Sequence, residues 1–271
     1  MQRDRRMSDN EKRTEIIFLG TGGGRVNLLK QWRATGGFRI NSKSANIHVD
    51  PGPGALLHGL KHGQNPSSLD AVIVTHFHID HCLDAPLLLE AMSGYALKKR
   101  GILIGSKYAI DGDESGDRSI SKYHVDRAEN VYRAVFGEKK RFKTKIGEFE
   151  IEIIRTKHDE PTAFGFKLFI DGKVIGYTGD TEYSDSLAKK FEGCNLLIAN
   201  CLKPSPDGIP DHMKTSDIIH LLKIAKPSSL AVLTHMGLKF LKVGPEKEAE
   251  KIEKASGIKC VAARDGQRFE V

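Results

Sequence analysis

The sequence lacks an apolar run long enough to cross a membrane, since no stretch approaches about 18 consecutive apolar residues. The opening stretch MQRDRRMSDNEKR is charged, and no apolar segment of the signal-peptide kind follows it. These absences predict a cytoplasmic protein that does not associate with membranes. They also predict a charged N-terminal tail over residues 1–13, followed by a single domain over residues 14–271.

Cysteine is scarce as well, with four residues in 271 and no CxxC spacing. A disulfide framework or a metal site built on thiolates needs closely spaced cysteines, so neither is expected. We predict reduced and mostly buried thiols at Cys82, Cys194, Cys201 and Cys260.

Long tracts of lysine and arginine are absent too, although the net charge is +7 and the isoelectric point is about 9.1. Positive potential raises the local concentration of anions, so a phosphate-bearing substrate or a nucleic acid suits this composition. A lysine-rich soluble protein without such a partner suits it equally well. Hydrophobic residues make up 39% and charged residues 28%, which is a globular balance.

Apolar runs alternate with helical patterns along the whole chain and predict an α/β protein in which two sheets pack face to face with helices outside. GTGGGR (20–25) and residues 110–122 are predicted as loops. Helices are predicted over 55–62, 82–99, 123–136, 215–225 and 246–255. Strands are predicted over 15–20, 45–50, 70–75, 102–105, 149–156, 163–170, 173–179, 196–200 and 229–234, and at the closing segments IKCVAA and GQRFEV.

One hexad, HFHIDH, follows the apolar run DAVIVT and places three imidazoles and a carboxylate within six positions. His76 and His78 lie two apart at the end of a predicted strand, so their side chains point to the same side. Asp80 and His81 come where the chain turns toward the next helix and can face a second nearby point. Neutral imidazole and carboxylate suit Zn²⁺, Mn²⁺ or Fe²⁺. The hexad therefore predicts a metal site.

Further ligands are expected at the ends of other strands. His158 follows FEIEIIRT, Asp180 follows KVIGYTG, and His235 follows SLAVLT. Each is a residue that can bind a metal, placed where a loop is free to aim it inward. Taken singly such residues are ordinary loop chemistry, but together with the hexad they predict one site.

The hexad resembles the HxHxDH signature of the metallo-β-lactamase superfamily. The segments FLGTGGG, VDPGPG and VAARDGQRFEV are similar to that family too, so the resemblance covers nearly the whole chain. It is closest to the branch that holds ribonuclease Z and small phosphodiesterases. The implied fold is a four-layer αβ/βα sandwich of two mixed sheets.

The same resemblance implies two divalent metal ions, with zinc favoured and manganese or iron as alternatives. It assigns His76, His78 and His158 to one ion, Asp80, His81 and His235 to the other, and Asp180 to a bridging position. Two such ions share a water, activate it for attack, and neutralise charge that builds on phosphorus.

His212, in DHMKTSD, resembles the histidine that serves as general acid in the phosphodiesterase branch. Imidazole suits this role because its pKa lies near working pH. The alternative is that His212 only precedes the helix that begins near Thr215. His212 and Asp80 are the two residues predicted to be catalytic.

Two departures from ribonuclease Z bear on the substrate. Only 21 residues separate His158 from Asp180, which leaves no room for the flexible tRNA-gripping arm of the long bacterial form. In addition, Asn200 stands where that family has the Glu that partners the general-acid histidine. Asp207 or Asp211 could replace that Glu, but the sequence does not place them.

The predicted function is therefore a metal-dependent hydrolase, first of all a phosphodiesterase that acts on a small or single-stranded nucleotide phosphodiester. A ribonuclease Z-like tRNA 3′ endonuclease is the second reading. A glyoxalase-like thioesterase ranks third because such enzymes lack the HMKT-type element. A non-catalytic nucleic-acid-binding protein is the fourth, and the insertion at 106–122 could form a lid or a homodimer contact.

Overall fold

The computed structural model describes residues 13–271, and within them the chain forms fourteen strands and ten α-helices. A short 3-10 turn lies at Pro66–Ser68. The helices are α1 Gly24–Lys30, α2 Ala55–Lys61, α3 Ile79–Cys82, α4 Ala85–Met92, α5 Lys107–Asp111, α6 Lys122–Val125, α7 Asp185–Lys190, α8 Thr215–Ala225, α9 Leu238–Val243 and α10 Pro245–Ser256. The strands are β1 Glu15–Gly20, β2 Thr35–Asn41, β3 Asn46–Val49, β4 Ala71–Val74, β5 Ile102–Gly105, β6 Asn130–Arg133, β7 Lys139–Lys143, β8 Glu148–Arg155, β9 Phe164–Ile170, β10 Lys173–Tyr177, β11 Leu196–Asn200, β12 Leu230–Thr234, β13 Cys260–Ala262 and β14 Arg268–Glu270.

The strands form two mixed sheets of seven strands each within the described part of the chain. The first sheet has the order β14-β1-β2-β3-β4-β5-β6, and the second has the order β13-β12-β11-β10-β9-β8-β7. In the first sheet β3 to β6 are parallel, and in the second β10 to β13 are parallel. The remaining neighbours in both sheets pair antiparallel.

The two sheets pack against each other through an apolar core. Phe38 of β2 meets Tyr177 of β10 edge to face, with their ring centroids 5.1 Å apart. Phe18, from β1, and Phe166, from β9, lie in the same buried cluster. Burial of this aromatic and aliphatic surface between the sheets is the main favourable contribution to folding.

Helices cover the outer face of each sheet. Helices α7 to α10 pack on the second sheet around Phe191, Leu221 and Phe240. Helices α2 and α4 to α6 pack on the first sheet around Leu88 and Met92. The layers therefore run helix, sheet, sheet, helix, and the predicted four-layer sandwich is confirmed. The four cysteines are free and buried, as expected.

The predicted helix over 123–136 is wrong. Helix α6 ends at Val125, and Asn130–Arg133 forms β6, which pairs in parallel with β5 at the edge of the sheet. Val131 and Tyr132 have low helix propensity, and main-chain hydrogen bonds to β5 favour a strand at this position.

The helix predicted over 82–99 is shorter and divided. Helix α3 ends at Cys82, α4 begins at Ala85 with Pro86 in its first turn, and Gly94 has a φ of 66° beyond its end. The predicted loop GTGGGR contains the start of α1 at Gly24. Strands β2 (TGGFRIN) and β7 (KKRFK) were not predicted, because glycine and lysine have low strand propensity and interrupt the alternation of apolar and polar residues.

Among residues 13–271, no helix is long and apolar enough to span a membrane. The predicted N-terminal tail lies, apart from Arg13, outside the described residues, so the division between tail and domain stays a prediction.

Candidate metal centre

The strands bring the predicted site residues to one rim of the sandwich. His76 and the short helix α3 follow β4 of the first sheet. His158, Asp180 and His235 follow β8, β10 and β12 of the second sheet, three strands that run in the same direction. Because their carboxyl ends share one edge, the loops after them meet above the core. Side chains that are far apart in the sequence therefore form a single cluster.

Two sets of side chains within this cluster can each hold an ion. His76, His78 and His158 form one set, in which the ligand atoms all lie within 4.8 Å of one another. Asp80, His81 and His235 form the second set under the same limit. The sequence-predicted residues are thus brought together in the grouping that the resemblance implied, while their roles as ligands stay a prediction.

Asp180 lies between the two sets. Its Oδ2 atom is 3.3 Å from Nε2 of His81, 3.3 Å from Nε2 of His235 and 3.9 Å from Nε2 of His76. Although burial favours the protonated acid, the imidazoles of His235 and His81 hold the pKa of the Asp180 carboxyl well below its usual range. Asp180 is therefore an ionised carboxylate that faces both sets.

The charge of the cluster suits a cation. Burial opposes a charged His81, but the carboxylates of Asp180, Asp50 and Asp80 raise the pKa of His81 well above its ordinary value. Burial and the neighbouring His81 lower the pKa of His76 well below its ordinary value, which leaves a neutral imidazole. Three carboxylates therefore hold a protonated His81 beside a neutral His76, and a divalent ion that binds this donor set would take the place of the His81 proton.

Unsatisfied nitrogen atoms support the same conclusion. Nε2 of His76 and Nε2 of His158 are buried and have no hydrogen-bond partner among the described residues. A buried polar atom without a partner costs about 1–3 kcal/mol. Two such atoms in one three-histidine set are explained if an ion accepts their lone pairs, so the residues present fit a metal.

Asp50 fixes the orientation of His81 from behind. Its Oδ2 atom lies 2.9 Å from Nδ1 of His81 and accepts hydrogen bonds from the Tyr177 hydroxyl at 2.9 Å and the Thr75 hydroxyl at 2.8 Å. A carboxylate on Nδ1 leaves Nε2 of the ring to face the metal, a common device in metal sites. Asp50 was not singled out from the sequence, although the Pro-Gly-Pro-Gly that follows it marks a special turn.

Glu160 is a second supporting residue that the sequence did not reveal. It is 2% exposed, and its Oε2 atom accepts from the Phe77 amide at 2.6 Å and from the Ser106 hydroxyl at 3.2 Å. The Thr162 hydroxyl also donates to Glu160. Phe77 separates His76 from His78, so Glu160 holds the backbone that carries two of the predicted ligands.

The glycine turn at 20–24 packs directly on the cluster. The Gly24 amide lies 3.2 Å from Oδ2 of Asp80 and donates to it. A Cβ atom at Gly23 would lie 2.4 Å from Nδ1 of His235, so only glycine fits there. The turn therefore closes one side of the site.

His212 lies at the rim of the cluster, on the loop before α8. Its Nε2 atom is 3.3 Å from Oδ2 of Asp180, and its Nδ1 atom is 3.1 Å from the carbonyl oxygen of Pro210. Burial lowers the pKa of His212, but Asp180 outweighs this effect and raises it to about 9. Its side chain is 16% exposed against 2% for Asp180, so substrate can reach it.

Neither Asp207 nor Asp211, the two residues that could replace the missing Glu, forms a side-chain hydrogen bond or ion pair with His212 among residues 13–271. Asn200 donates to Asp180, Asp207 binds Lys239 at 3.0 Å, and the Asp211 amide donates to Glu182. The Pro210 carbonyl accepts from His212 in place of a carboxylate. A backbone carbonyl orients the ring without adding charge.

The chain matches the model of the beta-lactamase superfamily domain over residues 45–236 and belongs to that family. The layered fold and the histidine–aspartate cluster identify it as a metal-dependent hydrolase with the metallo-β-lactamase fold. The resemblance stated from the sequence is confirmed.

Similar proteins align with this chain over nearly its full length. The chain is 36% identical over 260 residues to the uncharacterized protein MJ1374 of Methanocaldococcus jannaschii, with 96% of each chain covered. It is 26% identical over 303 residues to ribonuclease Z of Thermococcus kodakarensis, with 93% of each covered. The crystal structure of the metallo-beta-lactamase fold protein YhfI from Bacillus subtilis superposes with a TM-score of 0.75 at 20% identity, covering 96% of this chain and 100% of YhfI.

Proposed function

We propose that this protein is a phosphodiesterase with two metal ions that hydrolyses a small or single-stranded nucleotide phosphodiester. The observation that carries the proposal is the position of His212. This imidazole is outside the seven predicted ligands, yet its Nε2 atom is 3.3 Å from the carboxylate between the two sets. A proton donor beside a metal cluster is what departure of an alkoxide requires.

The two metal ions would be held by the two sets described above. His76, His78 and His158 would hold one ion, Asp80, His81 and His235 would hold the other, and Asp180 lies where its carboxylate would face both. Zinc suits these nitrogen and oxygen ligands best, and manganese and iron are the alternatives. Bound ions of this kind supply an activated water and neutralise negative charge on the phosphoryl group.

The protein's own contribution is proton transfer and orientation. His212 donates the proton on Nε2 to the leaving oxygen, while the Pro210 carbonyl holds the proton on Nδ1 and fixes the ring plane. In the metal-free protein the Asp180 carboxylate outweighs burial and raises the pKa of His212 to about 9. Asp80, the other predicted catalytic residue, is held by the Gly24 amide beside His235 and acts in this proposal as a ligand.

A ribonuclease Z-like endonuclease is the second candidate. The 26% identity to a ribonuclease Z over 93% of both chains favours it. Between His158 and Asp180, however, β9 and β10 form a tight hairpin, and Asn200 binds Asp180 where a carboxylate is expected to assist the acid. These features favour a simpler phosphodiester over a tRNA precursor.

The test is turnover by protein reconstituted with zinc or manganese. Bis(p-nitrophenyl) phosphate, an unprocessed tRNA and a thioester are offered in parallel, each with a chelator control. Metal-dependent cleavage of the diester supports the proposal, and cleavage of the tRNA at its 3′ side would favour the second candidate. If only the thioester is cleaved, or if none of the three substrates is cleaved, the proposed phosphodiesterase function is overturned.

A further inference from the structure

A groove opens beside the metal centre along the end of β8. Its volume is about 640 Å³, within the roughly 300–1,000 Å³ of ligand pockets. His158, a member of the first ligand set, and Thr181, which follows Asp180 in the chain, both line it. The groove is therefore continuous with the place where a phosphodiester would be cleaved.

The carboxylates of this groove are already paired. Glu182 binds Lys157 at 2.5 Å, and Glu152 binds Lys167 at 3.5 Å. These ion pairs leave little net negative charge on the groove wall. The pairing matters because an unpaired carboxylate here would repel a polyanion.

Two cations that line the groove have no carboxylate partner within residues 13–271. The Arg155 guanidinium lies over the Phe136 ring, 5.2 Å from its centroid, and Lys190 is exposed at the end of α7. Unpaired cations that share one groove attract phosphate groups. The groove therefore offers an anion site separate from the metal centre.

An aromatic ring faces the same groove. Tyr183 is half-buried, and its hydroxyl donates to Asp185 at 2.5 Å, which holds the ring in place. The centroid of the Tyr183 ring also lies 5.8 Å from that of the His220 ring. A fixed ring next to free cations is the arrangement with which proteins bind single-stranded nucleic acid without reading its sequence.

We infer that this groove binds the part of a single-stranded nucleic acid that adjoins the cleaved phosphodiester. Arg155 and Lys190 bind a neighbouring phosphate, and a base stacks on Tyr183. This inference rests on the proposed function and narrows it, because it makes the substrate a strand with several phosphates. A cyclic or isolated nucleotide would leave the cations unused.

The first experiment compares two substrates of the metal-loaded enzyme over a range of salt concentrations. Fluorescein-labelled octauridylate has several phosphates, and bis(p-nitrophenyl) phosphate has one. Double substitution Arg155→Gln with Lys190→Gln is expected to lower kcat/KM for octauridylate at least tenfold. A plot of log kcat/KM for octauridylate against log salt should also become shallower by about 0.7, because the two cations share one phosphate and each phosphate contact on a single strand contributes about 0.7.

Matched variants separate the groove from general charge. Lys254→Gln with Lys259→Gln removes the same charge from exposed positions in and beyond α10 and should leave both the octauridylate rate and its salt slope unchanged. Tyr183→Leu should lower kcat/KM for octauridylate by about five- to a hundredfold with the salt slope retained. An octadeoxyuridylate arm distinguishes an RNA strand from a DNA strand.

The outcomes distinguish the two proposals. An unchanged salt slope in the Arg155 and Lys190 variant would overturn the inference. So would cleavage of bis(p-nitrophenyl) phosphate by an enzyme that neither cleaves nor binds octauridylate, and in that case the proposed function stands. Failure to cleave either substrate overturns the proposed function, while fluorescence anisotropy of octauridylate with wild type and variant still decides the groove.

Discussion

Asn200 donates a hydrogen bond from Nδ2 to Oδ1 of Asp180 at 2.6 Å, and both side chains are buried. The same amide nitrogen lies 3.1 Å from the Tyr177 hydroxyl, which in turn donates to Asp50 behind His81. One neutral amide thus ties together the carboxylates on two sides of the metal centre. An asparagine here orients Asp180 without adding another negative charge to the site.

Asn200→Ala is expected to weaken metal binding by about 10- to 100-fold, because supporting hydrogen bonds fix the direction of a ligand. Competition with a chromophoric chelator measures this affinity without reference to turnover. Asn195→Ala is the matched control, since Asn195 bonds the Val174 amide at the other end of β11. Equal affinities in the two variants would show that Asp180 does not depend on Asn200.

His212→Ala is expected to reduce kcat about 10²- to 10⁴-fold, the usual contribution of a general acid, with metal content unchanged. Rates come from bis(p-nitrophenyl) phosphate turnover and metal content from elemental analysis. His220→Ala removes an exposed histidine from α8 and should leave the rate unaltered. If activity survives the loss of His212, another group protonates the leaving oxygen.

Asp180→Ala is expected to release at least one metal ion, because its carboxylate faces both ligand sets. Elemental analysis after gel filtration gives the stoichiometry. Asp111→Ala breaks an ion pair with Arg133 at the surface and should retain the wild-type metal content. Two ions bound per chain in the Asp180 variant would contradict the bridging position.

The residues of the centre could be predicted from the sequence where chemistry follows directly on a strand. His76, Asp180 and His235 each stand after a buried apolar run, and strand direction alone gathers them. Asp50 and Glu160 could not be found this way. Their roles depend on which hydroxyl or amide a distant loop brings to them, and no spacing in the chain encodes that.

The layers of the fold could be predicted because several strands are fully buried, whereas the helix predicted over 123–136 was wrong because part of that segment is an edge strand. Buried strands such as β4 and β11 are continuous apolar runs, so their place in a sheet is visible in the sequence. Strand β6 is half-exposed at a sheet edge, and its identity comes from pairing with β5. In fully buried segments the local sequence pattern is enough to identify a strand. At the edges of the sheets, pairing with a neighbouring strand determines the secondary structure.

Glu160→Ala is expected to lower the free energy of unfolding by about 1–3 kcal/mol, because the Phe77 amide and the Ser106 hydroxyl lose their acceptor. It should also weaken metal binding, since His76 and His78 flank Phe77. Urea unfolding and chelator competition measure the two effects. Ser106→Ala removes one donor and leaves the Phe77 contact, so it should affect metal affinity less; the reverse order would exclude Glu160 as a support of the ligands.

His48 provides a pH-dependent contribution to stability that does not involve the metal centre. It is buried in β3 with its Nε2 atom 2.9 Å from the Gly36 carbonyl, and burial lowers its pKa to about 3. In the unfolded chain its pKa is about 6.5, so between these values only the unfolded state takes up a proton. Stability from this group is complete above pH 6.5 and is lost as pH falls.

His48→Gln keeps a donor for Gly36 and has no proton to gain. In metal-free protein the wild type should therefore lose about 2 to 3 kcal/mol more than the variant between pH 7.5 and 4.5, since each pH unit contributes at most about 1.4 kcal/mol. Urea unfolding at the two pH values measures the difference. His220→Gln, at an exposed position on α8, is the matched control. Parallel losses in wild type and His48→Gln would mean that the buried imidazole is protonated in the folded state, which its burial between strands opposes.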